Sequence, residues 1–393
     1  IFSKNLEHIL HSIILDLLNK YKILCDFQHG FRNERSCETQ LILTINDFAK
    51  ALNQGEQIDS ILLDFAKAFD KVSHSKLIYK LEHYGVSRKT VNWIKDFLSH
   101  REQCVITNSK YSKWGKVTSG VPQGTVLGPL LFLVYINDLP ENIKSQIRIF
   151  ADDTYIYRKI LNPEDVNALQ KDLNDLEKWE KSWSMEFHPD KCKVLRISNK
   201  IKPVIGAYKL HDKVLENVDQ AKYLGVTIQK KLSWKPHIQN ITKKANQTIG
   251  FLQRNLRFCN SSTKAMCFKV YVRPIVNYAA PVWNPVGQQN MGLRNSLEMV
   301  QRRGARFVFN QWERDKSPTK MLVDLKWNTL ESDRKKLNLI LMHKIIHQKV
   351  AISTEILPNR TRYCDLKFQP VYGRVNAFKN SFLPTTTKWW NEL

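Results

Sequence analysis

The chain has 393 residues, 42% of them hydrophobic and 10% aromatic, which suffices for two or three compact domains with a hydrophobic core. Lys and Arg number 61 against 37 Asp and Glu, so the formal net charge is +24. Such a charge is tolerated most easily beside a polyanion, so nucleic acid is the first candidate partner and an anionic membrane surface the second. A membrane-spanning helix needs ~20 apolar residues, and the stretch Leu130–Ile136 is far too short.

The cysteine content points away from metal and disulfide frameworks. Cysteine occurs seven times, at scattered positions and with no Cys-x-x-Cys pair. We therefore expect buried, reduced thiols rather than a zinc site. The chain begins at Ile1, with neither a methionine nor a signal peptide, and we expect it to be part of a longer protein.

Apolar spacing predicts helices and one buried strand in the first part of the chain. The first helix is indicated by a stripe of four apolar residues: Leu6, Leu10, Ile13 and Leu17. The segment Asp59–Asp64 reads as a buried strand. A helix is predicted over His74–Tyr84, with Gly85 as its stop, and Ser87 is predicted to cap the next helix.

A hairpin with charge at its tip is predicted next. Residues 147–157 form two short β-rich runs that meet at a pair of aspartates. Asn162 is then predicted to cap an amphipathic helix with the apolar stripe Val166, Leu169, Leu173 and Leu176. Short strands are expected at Val194–Ile197 and Tyr223–Ile228. Because strands and helices interleave with hairpins, the predicted class of the first 230 or so residues is α+β.

After Trp234 the pattern becomes mostly helical and more basic. The basic residues that we predict to contact nucleic acid here are Lys235, Lys243, Lys244, Arg254 and Arg257. We place soft domain boundaries near residues 230 and 310. Runs of charge are most often solvated helix faces, but the net charge of +24 favours phosphate contact here.

Three aspartates stand out because their surroundings are apolar. Asp64 ends the predicted strand, while Asp152 and Asp153 interrupt the predicted hairpin. Burying a lone carboxylate is costly, and a shared hard cation such as Mg²⁺ is a common solution. Together with a polyanion partner, such a cluster suggests phosphoryl transfer with two metal ions. The alternative is that these are ordinary turn aspartates facing water.

Ordered sequence motifs narrow this choice. In chain order they are QHGFR (Gln28–Arg32) with Ser36, LDFAKAFDKV (Leu63–Val72), SGVPQGTVLGP (Ser119–Pro129), FADD (Phe150–Asp153), HPDKC (His188–Cys192), YLGV (Tyr223–Val226) and NSFLP (Asn380–Pro384) with Trp390 and Asn391. Their order and spacing resemble the reverse transcriptases of non-LTR (LINE-type) retrotransposons, of which the jockey-like elements look most similar. The resemblance covers nearly the whole chain.

The resemblance implies a right-hand polymerase of α+β class. Its fingers and palm would occupy residues 1–230, and a small antiparallel sheet of the palm would carry the catalytic aspartates. A basic helical thumb would occupy residues 231–310, and residues 311–393 would form a mostly helical extension of uncertain role. Family members usually carry a further strand before the start of this chain, so part of the fingers is expected to be missing.

The family pattern also implies the metal ligands. Asp64 and Asp152 map onto ligands of both ions, and Asp153 onto a residue of second rank. The backbone carbonyl of Phe65 is an implied further ligand. The two ions, Mg²⁺ or Mn²⁺, would activate the primer 3′-hydroxyl and neutralise the triphosphate. Lys191 matches the basic residue placed near the leaving pyrophosphate, where it would act as a general acid.

The resemblance assigns nucleotide contacts as well. Phe69 corresponds to the aromatic residue that packs beneath the sugar and rejects a 2′-hydroxyl, although a Phe in such a run is often a core residue. Gln123 and Gly124 lie in a Gly/Pro loop that would approach the incoming nucleotide or the template; an ordinary turn is the alternative. Arg32 would contact the triphosphate through its guanidinium.

The implied function is RNA-directed DNA synthesis from a primer on an RNA template. The expected partners are an RNA template, a DNA primer or nicked target DNA, dNTPs and the element's own RNA, with no membrane. Residence in the cytoplasm as a ribonucleoprotein particle, and in the nucleus during integration, is expected by resemblance. The sequence does not indicate an oligomeric state.

Rival interpretations remain open at this stage. A group II intron-type reverse transcriptase shares several motifs, although the C-terminal pattern argues against it. A telomerase would need a large RNA-binding region. A decayed or truncated copy of the element would only bind nucleic acid, and a structural or membrane-surface protein would account for the charge alone.

Overall fold

A computed structural model describes residues 2–313, 315–362 and 364–393. The chain divides into two compact units. Unit 1 comprises the residues up to Ser36, Ile58–Arg196 and Lys202–Val218. Unit 2 comprises Cys37–Gln57, Ile197–Ile201 and Asp219–Leu393.

The helices and strands are numbered in chain order along the described residues. The helices are α1 (Phe2–Lys20), α2 (Cys37–Asn53), α3 (His74–His83), α4 (Arg88–Leu98), α5 (Leu127–Ile136), α6 (Pro163–Trp183), α7 (Lys235–Asn255), α8 (Ser261–Cys267), α9 (Arg273–Asn277), α10 (Ala280–Trp283), α11 (Met291–Phe309), α12 (Pro318–Asp324), α13 (Leu330–Ile346), α14 (Asn376–Lys379) and α15 (Phe382–Asn391). The strands are β1 (Ile58–Leu63), β2 (Glu102–Gln103), β3 (Ile106–Thr107), β4 (Lys110–Tyr111), β5 (Gly115–Lys116), β6 (Gln146–Phe150), β7 (Asp153–Lys159), β8 (Lys193–Ile197), β9 (Lys209–Leu210), β10 (Lys213–Val214), β11 (Glu216–Val218), β12 (Gln220–Tyr223), β13 (Val226–Gln229), β14 (Arg360–Thr361) and β15 (Cys364–Phe368).

A five-stranded sheet of order β11-β8-β1-β7-β6 forms the centre of unit 1. Strand β7 pairs antiparallel with both β1 and β6, while β11 pairs parallel with β8. Strand β1 is apolar and buried along most of its length. Its one acidic residue, Asp59, is fully buried and bonded by the Arg196 guanidinium at 3.0 Å and the Tyr208 hydroxyl at 2.9 Å. This mixture of sheet and helix confirms the predicted α+β class.

Local capping chemistry starts the helices where the sequence predicts. The Ser87 hydroxyl accepts a hydrogen bond from the Thr90 amide at the start of α4, and the Asn162 side chain accepts one from Asp165 at the start of α6. Pro163 occupies the first turn of α6, where its missing amide hydrogen costs nothing. These confirmed caps fix the starts of α4 and of α6, the helix that follows the hairpin β6–β7.

Helix α5 forms the apolar middle of unit 1. Nearly every residue of Leu127–Ile136 is buried, which explains why the segment is apolar on all sides. No helix among the described residues is long and apolar enough to cross a membrane. All seven cysteines are free thiols in the structure, and the predicted burial holds for Cys192 alone, because the other six are partly exposed.

Helix α1 exists as predicted, but only half of the predicted stripe, Leu10 and Leu17, packs against the core. Leu6 is 42% exposed and Ile13 53% exposed, whereas Ile14 and Leu18 are buried. The reason is a polar contact, since the Glu7 carboxylate accepts hydrogen bonds from two amides at the start of α5, at 2.7 and 3.2 Å. Glu7 is buried, so its side of the helix faces inwards.

The single strand predicted over Tyr223–Ile228 is wrong. The segment is the turn of a hairpin formed by β12 and β13, with Tyr223 opposite Val226. Leu224 and Gly225 adopt φ values of 43° and 82°, which suit a tight hairpin turn. The Tyr278 hydroxyl donates a 2.9 Å hydrogen bond to the Leu224 carbonyl. A leucine in the left-handed region is rare, so Leu224 does not indicate a turn in the sequence. The apolar residues around it resemble those of a single strand, which is why the sequence predicts a strand.

Unit 2 is mostly helical, as predicted for the residues after Trp234. Helix α11 packs against α7, α8 and α13, and Gly304 allows the Phe268 ring to lie where a Cβ would come within 2.2 Å of it. Helix α2 packs against α10, α14 and α15. The Asn53 side chain accepts hydrogen bonds from the amides of Arg374 and Val375, at 2.6 and 3.3 Å.

The compact units differ in extent from the predicted domains. Unit 2 begins its main segment at Asp219, so the predicted boundary near residue 230 falls inside it, after the hairpin β12–β13 that packs on α7. Residues 231–310 and 311–393 also belong to one unit. The roles of fingers, palm and thumb stay predictions.

Candidate active site

Two of the three predicted aspartates sit at the tip of the hairpin β6–β7. Phe150 pairs with Asp153 in the antiparallel register, and Ala151 adopts a left-handed φ of 53° between them. The predicted hairpin is therefore confirmed. Its tight turn projects Asp152 and Asp153 beyond the buried part of the sheet, and Asp152 is half-buried.

The Gln28 side chain holds this turn. Its Oε1 accepts hydrogen bonds from the amides of Ala151, at 2.9 Å, and Gly30, at 2.7 Å, and its Nε2 donates to the Ala151 carbonyl at 3.3 Å. Gln28 is only 4% exposed. A Cβ on Gly30 would lie 2.3 Å from the Ala151 nitrogen, so this close approach requires glycine. The sequence marks Gln28 as part of a motif but does not indicate this role.

Asp64 reaches the same region from the neighbouring strand. It directly follows β1, whose last residue, Leu63, pairs with Thr154 of β7, one residue after Asp153. The Asp64 carbonyl accepts a 2.7 Å hydrogen bond from the His188 amide. Phe65 then forms an antiparallel bridge with Phe187. Strand pairing therefore brings the first motif aspartate beside the Asp152–Asp153 turn.

The same pairing places Lys191 near Asp64. The His188 carbonyl accepts a hydrogen bond from the Lys191 amide, which folds the chain back towards the end of β1. The Lys191 ammonium lies 3.9 Å from the Asp64 carboxylate, and both side chains are open to solvent. The structure thus gathers four predicted residues, Asp64, Asp152, Asp153 and Lys191, at one edge of the sheet.

The three carboxylates interact electrostatically. Asp153 is exposed at the surface, but desolvation of its carboxyl by the surrounding atoms, followed by repulsion from Asp152 and Asp64, raises its pKa to about 6. Burial raises the pKa of Asp152 as well, and the Asp64 charge adds to the shift. Carboxylates whose charges repel one another are the donor set that hard divalent cations prefer. As they stand, however, no three acidic, histidine or cysteine side chains among the described residues converge closely enough to hold a metal ion.

Two aromatic residues of the motif Leu63–Val72 pack differently. The Phe65 ring is buried and stacks on Phe187, with ring centroids 4.1 Å apart. The Phe69 ring is half-buried and stacks on Phe132 of α5 at 4.3 Å, while Phe31 meets it edge-on at 6.4 Å. Phe69 therefore has one side in the core and the other towards an exposed aromatic ring.

The loop Ser119–Gly124 is bonded to the turn that carries Phe69. The Phe69 carbonyl accepts a 2.9 Å hydrogen bond from the Val121 amide. Gly120 has φ 88°, and a Cβ there would come within 2.8 Å of the Asp70 backbone. The side-chain nitrogen Nε2 of Gln123 lies 3.4 Å from the Asp70 carboxylate. The predicted nucleotide-contacting residues Phe69, Gln123 and Gly124 thus belong to one assembly.

Arg32 is engaged with the backbone of its own segment. Its Nη1 donates to the carbonyls of Cys25, at 2.6 Å, and Leu24, at 3.5 Å. Burial, together with the nearby Arg35 charge, lowers the pKa of Arg32. The described contacts therefore place Arg32 with residues 24–25, and its role as a triphosphate ligand stays a prediction.

The predicted nucleic-acid-contacting residues lie in unit 2 and are all exposed. Four of them are on α7 and one follows it: Lys235, Lys243, Lys244, Arg254 and Arg257. Exposure leaves their charges available to a polyanion, but it does not by itself distinguish phosphate contact from a solvated face.

A comparison with known protein families identifies the family of the chain that carries this site. The model of the family "Reverse transcriptase (RNA-dependent DNA polymerase)" matches residues 2–228, more than half of the chain. The chain belongs to the reverse transcriptase family. The matched residues include every member of the candidate site in unit 1, from Arg32 to Lys191.

Individual relatives of this reverse transcriptase come from insect mobile elements. The chain is 30% identical over 328 residues to a probable RNA-directed DNA polymerase from transposon BS of Drosophila melanogaster, covering 78% of this chain and 35% of the relative. It is 26% identical over 319 residues to the RNA-directed DNA polymerase from mobile element jockey of the same species, covering 78% and 34%. The predicted likeness to jockey-like elements is confirmed. The chain spans about a third of the length of these curated relatives.

Solved structures add little to this family assignment. Apo telomerase from Candida tropicalis gives a TM-score of 0.47 at 10% sequence identity, covering 87% of this chain and 54% of that chain. Telomerase from Candida albicans gives a TM-score of 0.44 at 13% identity, covering 86% and 54%. Similarity at this level does not bear on the function of the reverse transcriptase described above.

Proposed function

We propose that this chain is the catalytic part of an RNA-directed DNA polymerase from a non-LTR retrotransposon. It extends the 3′-hydroxyl of a DNA primer with dNTPs on an RNA template. The observation that carries the proposal is the gathering of Asp64, Asp152 and Asp153 at one sheet edge in a member of the reverse transcriptase family. Asp59 differs from these three, because the bonds from Arg196 and Tyr208 to its buried carboxylate give it a structural role.

The carboxylates are proposed to hold two divalent cations, Mg²⁺ or Mn²⁺. Asp64 and Asp152 would each be a ligand of both ions, with Asp153 and the Phe65 carbonyl as further ligands. Bound ions of this kind stabilise the attacking and leaving oxygens of an in-line displacement. Desolvation is the main cause that raises the pKa of Asp153 and Asp152, and the repulsion that adds to it is the part that cation binding would relieve.

The surrounding side chains are proposed to bind and orient the substrates. Lys191, with its ammonium 3.9 Å from Asp64, would donate a proton to the leaving pyrophosphate. Phe69 would support the sugar and exclude a 2′-hydroxyl, supported by its stack on Phe132. Gln123 and Gly124 would approach the nucleotide or template, because their loop is bonded to the turn that carries Phe69. Arg32 would bind the triphosphate through guanidinium donors other than Nη1, because Nη1 is the atom that bonds the backbone carbonyls.

The architecture is proposed to be that of a right hand. Unit 1 would supply the palm, with the sheet that carries the aspartates, and part of the fingers. The basic helices of residues 231–310 would act as a thumb that grips the primer–template backbone, and residues 311–393 would extend it. The full-length protein would meet its own RNA in a cytoplasmic ribonucleoprotein particle and nicked target DNA in the nucleus.

Primer extension tests the proposed activity. The 393-residue chain is incubated with a DNA primer annealed to an RNA template, dNTPs and Mg²⁺, with EDTA in a parallel reaction. We expect extension that requires both the RNA template and the metal ion. The strong positive charge favours a second candidate function, a remnant of the element that only binds nucleic acid. Salt-sensitive binding without extension under any of several divalent cations would favour that second function.

A further inference from the structure

A pocket of about 490 Å³ lies in unit 1 between a small hairpin and the loop Val117–Gln123. The hairpin starts with β2, which pairs with β5, so that Glu102 lies opposite Lys116. The Arg101 carbonyl accepts a 2.9 Å hydrogen bond from the Val117 amide, which continues this pairing to the mouth of the loop. The pocket is thus framed by backbone pairing rather than by side chains alone.

The Arg101 guanidinium points to an anionic ligand. Its Nη1 atom is shielded from solvent and has no hydrogen-bond partner within the described part of the chain. A shielded charged donor without an acceptor is costly, and an oxygen of a phosphate group satisfies it with a charge-assisted bond. Arg101 lines the pocket, and a turn of its guanidinium would present Nη1 to the oxygen of a ligand there.

The charges around the pocket agree with this requirement. Three cationic side chains line it, from Lys67, Arg101 and Lys116. The one acidic residue of the lining, Asp70, has a carboxylate oxygen 3.4 Å from the Gln123 amide nitrogen. Lys67 adopts a left-handed φ of 55° at the start of the short turn Ala68–Asp70, a strained conformation found often at binding sites.

The rest of the hairpin indicates a polymer rather than a small anion. Tyr111 is 70% exposed and Trp114 is 66% exposed, and the exposed lysines Lys110 and Lys113 alternate with them. Exposed aromatic rings interleaved with basic residues are typical of surfaces where bases stack and the backbone is neutralised. A single small anion in the pocket would not contact the exposed aromatic and basic residues of the hairpin, whereas a polymer strand could.

We propose that the pocket binds a backbone phosphate of a nucleic-acid strand and that the hairpin β2–β5 carries the strand onward from it. This inference rests on the proposed function only in taking a nucleic-acid strand as the ligand. It assigns Arg101 and Lys116 as strand-binding residues next to the loop that holds Gln123.

Equilibrium binding tests the pocket without any catalysis. The full chain and its variants are titrated against a fluorescently labelled RNA–DNA primer–template in EDTA over a series of KCl concentrations. Arg101→Gln is expected to weaken binding about tenfold, as loss of a charge-assisted bond implies. The slope of log K against log salt should shrink by roughly 0.7–0.9 for each phosphate that the variant no longer neutralises. Lys89→Gln, which removes an exposed lysine of α4, is the control and should change neither quantity.

Further arms separate the sources of phosphate. If strand binding is unchanged but tripolyphosphate or dNTP binding weakens, the pocket takes the nucleotide, which overturns the strand proposal. If Arg101→Gln and Lys116→Gln both bind every probe like the parent, the pocket binds no phosphate. Lys116 is exposed, so its variant keeps the test available if Arg101→Gln fails to fold in a thermal unfolding control. Because no metal is present, a chain that never extends a primer still reports on this pocket.

Discussion

The Phe69 ring combines packing with a proposed role in sugar selection. Its stack on Phe132 fixes the ring from the core side, and Phe31 approaches its edge. A substitution that only shortens the side chain therefore opens space where a 2′-hydroxyl would lie.

We predict that Phe69→Val raises the incorporation of ribonucleotides relative to deoxyribonucleotides. A pocket contact of this size typically discriminates by about 1–3 kcal/mol, so the ratio should change by roughly 10- to 100-fold. The measurement is kcat/KM for dNTP and matching rNTP in primer extension. Phe132→Leu disturbs the same stack from the core side and is the matched control. Equal changes in the two variants would assign Phe69 to packing alone.

His237 couples the stability of unit 2 to pH. Its Nδ1 accepts a 3.2 Å hydrogen bond from the Thr227 amide, and its Nε2 is buried with no hydrogen-bond partner among the described residues. Burial, with a smaller contribution from Lys222, lowers the pKa of His237 to about 4. The folded chain therefore holds this imidazole neutral at pH values where the unfolded chain protonates it, near 6.5 and below.

We predict that the free energy of unfolding falls as pH drops from about 6.5 towards 4, and that His237→Gln flattens this fall. The unfolded chain binds the proton more readily, so acid favours unfolding. A shift of this size corresponds to roughly 3 kcal/mol at most. Urea unfolding at a series of pH values from neutral to mildly acidic measures it, with His8→Gln as a control at an exposed histidine. Parallel curves for parent and His237→Gln would contradict the prediction.

At the scale of elements, the turn between β6 and β7 depends on a residue from a distant segment. Gln28 satisfies two amide donors and one carbonyl of the turn region, and Gly30 allows the two backbones to touch. Gln28 is buried behind the turn and bonded to its backbone, so it is a positioning residue for Asp152 and Asp153.

We predict that Gln28→Ala lowers primer extension more than about tenfold while primer–template affinity stays unchanged. It also leaves two buried amides without an acceptor, which costs about 1–3 kcal/mol of stability. Gln28→Glu keeps the acceptor oxygen and should retain more activity. Gln40→Ala, at a fully buried glutamine of unit 2, is the control for loss of stability alone. If Gln28→Ala and Gln40→Ala lose the same stability and Gln28→Ala still extends the primer at the parent rate, the positioning role of Gln28 is wrong.

Elements defined by local chemistry were predictable, and those defined by distant contacts were not. The caps Ser87 and Asn162 and the hairpin of residues 147–157 each follow from a few neighbouring residues. The buried face of α1 depends instead on the bonds between Glu7 and the amides of Val126 and Leu127. These two residues follow Glu7 by 119 and 120 positions. The hairpin at Leu224 needed an unusual leucine conformation that no pattern indicates.

The candidate site shows the same division. Motif order and apolar context predicted Asp64, Asp152 and Asp153, because strand ends and hairpin tips are readable locally. The clamp by Gln28 spans 123 positions, so it does not follow from spacing. The partners of Arg32, the backbone carbonyls of Cys25 and Leu24, are only seven and eight positions away, but they depend on the course of an irregular segment that spacing does not indicate.

At the scale of the whole molecule, the net charge of +24 should appear as a salt-dependent affinity. We predict that replacing three lysines of α7 with glutamine, Lys235, Lys243 and Lys244, reduces the slope of log K against log salt for primer–template binding. The reduction should be about 0.9 for each phosphate that these lysines neutralise in the parent chain. Anisotropy titrations across a range of KCl concentrations measure it.

The control for this experiment removes the same charge elsewhere. Its three substitutions exchange exposed lysines of unit 1 for glutamine: Lys20, Lys89 and Lys171. Both triple variants lower the net charge by the same amount. A difference between their salt slopes therefore reports direct phosphate contact by the α7 lysines rather than general electrostatic attraction. Identical slopes would mean that α7 acts only through the general charge of the molecule.

Asp64 and Asp152 are proposed to support metal-dependent nucleotide transfer together. The most direct measurement compares primer extension by the parent chain, Asp64→Asn, Asp152→Asn and the exposed control Asp96→Asn at equal occupancy of primer–template. Metal-assisted stabilisation is worth several kcal/mol, so each site variant should lose roughly a thousandfold in rate while Asp96→Asn keeps the parent rate. Extension by Asp152→Asn or Asp64→Asn at the parent rate would contradict the account.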